Sequence, residues 1–167
     1  METALPQEHP DGPNPLDVIE QIVGSHEWVY DRSSDSELTV TTSSTWCQLH
    51  LHFSWTGTPS ALQTICAFDA PISDGRRSAV LELVALINSQ LWIGHFDVLS
   101  DENFIMFRYV MLLPDDTEVT EDQCEEVLKV ALSESERFYP AFQFVLWSGQ
   151  TPKEALAAAL IETVGEA

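Results

Sequence analysis

The stretch Ser78–Leu113, SAVLELVALINSQLWIGHFDVLSDENFIMFRYVMLL, is the most apolar and best-patterned part of the chain. It reads as helix, strand, strand. On helical geometry Val80, Leu83, Val84, Ile87 and Leu91 share one face, and Leu81, Ala85 and Leu86 widen it into a band over most of the circumference. Such a helix is expected to be buried rather than laid on a surface. Gly94 breaks the helical period, and His95–Leu99 alternates weakly. Phe104–Leu113 is apolar on both faces except for Arg108, a pattern that predicts a strand covered on two sides.

Composition bounds the rest. A chain of 167 residues is sized for one domain that buries roughly 70% of the surface its unfolded form exposes. Asp and Glu number 27 against seven Lys and Arg, a formal net charge of -20. That balance disfavours nucleic acid, whose affinity rests on neutralised phosphates, and equally disfavours anionic membranes. Cys47, Cys66 and Cys124 share no CxxC spacing, cannot all pair, and each lies in an apolar context. No basic-then-apolar leader opens the sequence, and no apolar run approaches the ~20 residues of a membrane span. The expected setting is soluble, reducing and cytoplasmic.

Taken in order, residues 1–13 are rich in Pro and acid and are expected to be a disordered tail before a single domain, 14–167. Asn14 caps a helix with Pro15 at its first position; Leu16, Ile19 and Val23 give it an apolar face, and Gly24 is the expected stop after Pro15–Val23. Trp28–Arg32 and Glu37–Ser43, separated by SSDS, predict a hairpin. In Thr45–Trp55 the alternation is cleanest, with Cys47, Leu49, Leu51, Phe53 and Trp55 on one face and Gln48, His50, His52 and Ser54 on the other. GTPS turns the chain into a fourth strand, Leu62–Asp69. Thr120 and Gln123 form a capping box for a long helix, which Pro140 must kink or restart. Thr151–Glu154 is a second capping box and opens an Ala-rich helix to about Val164. The predicted order is α-β-β-β-β-α-β-β-α-α, an α+β fold with helices packed on an antiparallel sheet.

This order, with LELVALINSQLWIGHFDVLSDENFIMFRYVMLL (Leu81–Leu113) and SERFYPAFQFVLWSG (Ser135–Gly149), resembles the YbjN family of bacterial proteins from about Asn14 to the C-terminus. The matching features are the helix opened by Pro15-Leu16-Asp17, the strand meander ending near Trp55, Asn88 and Gly94 flanking Leu91-Trp92, and the strand residues Phe107-Arg108-Tyr109. The resemblance implies a fold like that of type III secretion chaperones, a habit of dimerising, and a sensory transduction regulator or chaperone-like factor in stress or signalling responses. The chain departs from the secretion chaperones in its added helix after Gly149.

Three constellations carry chemistry. His50 and His52 lie at i and i+2 on one polar strand face, where His95 or a carboxylate would complete a metal site; solvated surface is the competing reading. Arg76 and Arg77 start the central helix, where they would hold an anion or else pair with Asp69, Asp74 or another of the excess carboxylates. Arg108, a cation in an apolar strand, is expected to be buried and paired with Glu134 or Glu136, or to reach an interface. Cys47 faces away from the neighbouring histidines, and GxSxG, P-loop, GxGxxG and HExxH patterns do not occur. No catalytic, cofactor or metal residue is assigned. The expected function is a non-enzymatic module that binds a protein or peptide and forms a homodimer, with no nucleic-acid or membrane partner. The alternative is a small enzyme or metal-binding protein using the His50/His52 face.

Overall fold

The computed structural model describes residues 13–99, 102–114 and 117–165, so the expected tail 1–13 lies outside the described residues apart from Pro13. Asn14 accepts the Leu16 N–H at 2.9 Å and opens α1 (Pro15–Ser25). Gly24 does not end this helix. It runs to Ser25, and the reversal falls on Glu27, at φ 59°. Four strands follow: β1 (Val29–Ser34), β2 (Glu37–Ser43), β3 (Gln48–Gly57) and β4 (Ser60–Phe68). Next come α2 (Arg77–Asn88), β5 (His95–Leu99), β6 (Phe104–Leu112), α3 (Glu121–Trp147) and α4 (Pro152–Gly165). The order is the α+β order read from the sequence.

The strands form one antiparallel sheet in the order β1-β2-β3-β4-β6-β5. Registers Phe53↔Thr64, Leu51↔Cys66, Cys66↔Phe107 and Phe96↔Phe107 put the buried residues of neighbouring strands on a common face. Against that face α1 packs over β1–β3, α3 over β4 and β6, and α2 over β5; α4 packs on α2 and α3. Phe68, Phe96, Phe107, Phe138 and Phe142 join sheet to helices, with Phe96 within 5.7 Å of the rings of Phe107, Phe138 and Phe142. Each such ring buries a large apolar area.

Two expectations about the central stretch are overturned. α2 buries only Val80, Leu83 and Ile87, and Leu81 is 47% exposed, so it is an amphipathic helix on the edge of a layer. Strand β6 is covered by helices on one side: Ile105 and Phe107 enter the core, while on the opposite face Phe104, Val110 and Leu112 are exposed and Met106 is buried beside Arg108. All the helices lie on the same side of the sheet, so among the described residues no element covers the second face. Pro140 does not restart α3, which continues through it to Trp147.

Candidate functional site: the open sheet face

The uncovered face is assembled by strand parity. In β3, β4, β6 and β5 the registers His52↔Ile65, Ile65↔Arg108 and His95↔Arg108 place these four side chains in one row across the sheet. Around the row lie Ala67, Met106 and Asp97 on one side and Gln63, Val110 and Leu112 on the other. Leu112 is 70% exposed, and Phe104 and Leu99 extend the apolar area towards the β5 edge. In a chain of 27 acids this face carries few: Asp31, Glu37 and Asp97.

Arg108 stands at its centre and contradicts the pairing read from the sequence. Glu134 and Glu136 are on α3, behind the sheet, where Glu134 faces Arg137 at 3.6 Å and Glu136 accepts the Thr45 N–H at 2.9 Å. The carboxylate near Arg108 is Asp97, with Nη1 to Oδ2 at 3.9 Å, and the guanidinium side chain is 31% exposed. Its Nε is buried without a hydrogen-bond partner among the described residues, and Nη2 reaches only the Met106 sulfur at 3.8 Å. Such a cation has donors left over for an incoming carboxylate or carbonyl.

The other candidates sit apart. His50 is exposed beside Thr41 (3.3 Å), and His52 is half-buried beside Ser54 (3.3 Å). Among the described residues no group of three or more His, Cys, Asp or Glu is placed to hold a metal ion. Arg77 Nη1 donates to Asn103 Oδ1 at 2.6 Å, which ties the start of α2 to the β5–β6 turn. The Arg76 guanidinium lies against Gly149 at the end of α3, where the helix dipole favours a cation; this accounts for an arginine at the unfavourable end of α2. Neither arginine pairs with Asp69 or Asp74 among the described residues.

The thiols are held in their unreactive form. Burial pushes Cys66 up to about 12 and Cys124 up to about 11; burial also raises Cys47, outweighing the hydrogen bonds of Ser44 and Tyr139 that favour its thiolate. Tyr139, on α3, is likewise raised to about 12, mainly by burial. The sequence reading missed the exposed apolar row of β6. Its signal was parity: Phe104, Val110 and Leu112 share the phase of Arg108.

The sequence model of the family described as "YbjN: Putative bacterial sensory transduction regulator" matches residues 15–144. Among solved structures, the "crystal structure of YbjN, a putative transcription regulator from E. coli" is similar over 72% of this chain and 90% of that chain, at 11% identity and a TM-score of 0.47. A search of the curated proteins found no match. Among the described residues no helix is long and apolar enough to cross a membrane.

Proposed function

The chain belongs to the YbjN family, and from that premise we propose that it is a non-enzymatic, cytoplasmic binding module that meets a protein across its open sheet face, with a second copy of the chain as the first occupant. One observation carries the reading. The helices pack on one face of the sheet, and among the described residues the other presents Ile65, Val110 and Leu112 around an arginine with unsatisfied donors. An apolar centre with an arginine anchor and few competing charges is the composition that protein interfaces favour. In the bacterial cell such a module acts through what it holds, as a regulator or chaperone-like factor would.

A photo-crosslinking side chain at Ile65, central on the face, tests this. Irradiation in the cells that make the protein should give covalent adducts with a second copy or another protein. The same group at Ala157, exposed on α4, should give none. Residue 65 yielding no more adduct than residue 157 overturns the proposal. Stoichiometric transition metal in protein purified without a tag overturns the non-metal part in favour of the His50/His52 reading.

A further inference from the structure

β6 is longer than its edge partner. It spans nine residues, whereas β5 spans five, and their ladder ends at His95↔Arg108. On the other side β4 stays paired with β6 as far as Leu112. Tyr109–Leu112 are therefore strand residues with a neighbour on one side only. The direction of their backbone groups follows from two fixed points. The Arg108 carbonyl lies towards β5, 2.9 Å from where a Cβ on Gly94 would sit, and the Leu113 N–H points the opposite way, to Ser60 O of β4 at 2.9 Å. Successive residues of an extended strand aim alternately, so the N–H and C=O of Val110 and Leu112 point into the space that β5 leaves empty. These groups have no partner among the described residues. The cause is Gly94: at φ +68° it turns the chain off the sheet, and Trp92 just before it is 99% exposed.

The helix-side flank of this free edge is a groove of about 360 Å3. Ile93, Tyr109, Met111, Val127 and Val130 line it with apolar surface, and Asp122 and Glu126 stand at its mouth. No Lys or Arg lines it, and Lys129 holds Glu126 at 3.2 Å in an exposed pair that an incoming cation can replace.

We propose that the Tyr109–Leu112 edge and this groove take an extended cationic peptide segment of another protein as an added strand. The four free backbone groups supply the hydrogen bonds. Apolar residues at alternate positions of the segment, on the side of Tyr109 and Met111, enter the groove. Lysines or arginines that follow them in the same alternation, and so lie on the same face of the segment, meet Asp122 and Glu126. Charge selects this occupant over a second copy. A second copy would bring a further formal charge of -20, and two-fold pairing along this edge would set both acidic mouths close together. The site borders the open face and shares with it only Val110 and Leu112, whose side chains stay on that face while their backbone groups point out of the edge.

The test is a fluorescence titration with a labelled eight-residue peptide in which every second residue is serine and the others are two valines followed by two lysines, so that valines and lysines share one strand face; lysine–serine and glutamate–valine versions of the same length are the controls. Only the lysine–valine peptide should bind, and it should slow hydrogen exchange at the Val110 and Leu112 amides. Equal binding of either control overturns the proposal. Val110→Pro removes one outward N–H without touching the β4 ladder, as edge positions allow, and should weaken binding about tenfold. Asp122→Asn with Glu126→Gln, both exposed positions, guards against a folding defect in the proline variant and should weaken binding several-fold. Affinity unchanged in either variant overturns the proposal, as does a dimer that survives Ile65→Asp but that Val110→Pro converts to monomer, since that would show a second copy on the edge. Ile65→Asp, on the open face, should leave peptide affinity unchanged. Its loss there would move the peptide to that face and overturn the edge assignment alone.

Discussion

Arg108 strands no buried carboxylate when it is removed. Its neighbour Asp97 is itself about half exposed at 49%, and 3.9 Å is a loose pair. Arg108→Ala is therefore expected to lower stability by less than about 1 kcal/mol, where a buried pair would cost about 3 kcal/mol or more. A urea unfolding midpoint decides between the two, and a large loss would return Arg108 to the interior. Cys66 behaves oppositely because it is fully buried on β4, under α3. Its folded value of about 12 lies above the value of 9.0 for an unperturbed thiol, so the fold favours the protonated form. That contribution is complete below pH 9 and is lost as pH rises towards 12, at about 1.4 kcal/mol per pH unit from this group. Urea midpoints under reducing conditions at about pH 8.5, 9.5 and 10.5 should fall more steeply for the natural chain than for Cys66→Ala. Equal slopes would show that the thiol ionises as freely folded as unfolded.

At the scale of elements, the connection from α2 into β5 turns on one residue. A Cβ at Gly94 would lie 2.3 Å from Phe107 Cζ and 2.9 Å from the Arg108 carbonyl, in a left-handed backbone. Gly94→Ala should cost about 3 kcal/mol, whereas Gly75→Ala, with nothing within 4 Å, should stay within about 0.5 kcal/mol. Thermal melts of both variants check this, and a native melting point for Gly94→Ala would refute the close approach. Gly94 was visible in the sequence as a break in period. Strand β3 was legible for a related reason: only one of its faces is buried, so Leu49, Leu51, Phe53 and Trp55 alternate with polar residues. α2 and β6 misled because both carry apolar residues beyond those the monomer covers. Counting Leu81 or Leu112 as core follows from composition, but composition cannot say on which side the helices pack. Arg76 was equally illegible, since its favourable surroundings belong to the far end of α3.

For the whole molecule, the sheet face left open is large enough to matter. Five interstrand steps of about 4.8 Å and strands of about 25 Å give a face of roughly 600 Å2 in plan, near the ~800 Å2 per partner of a standard interface. Against association stands the formal charge of -20 on each copy, which repels at long range. The face itself holds Asp31, Glu37 and Asp97 near its strand ends or edges and keeps Ile65, Val110 and Leu112 towards its interior. Short-range apolar burial thus opposes a repulsion that salt screens over about 10 Å at 0.1 M. Light scattering at micromolar concentration should accordingly give about twice the 18.7 kDa chain mass, with dissociation into monomers at low ionic strength and tighter association as salt is added. Ile65→Asp, which sets a charge in the middle of the apolar row, should return the mass to that of one chain at every salt concentration. A natural chain that stays at 18.7 kDa from about 0.05 to 0.5 M salt would remove the second copy from this face, because neither charge nor dilution would then explain its absence.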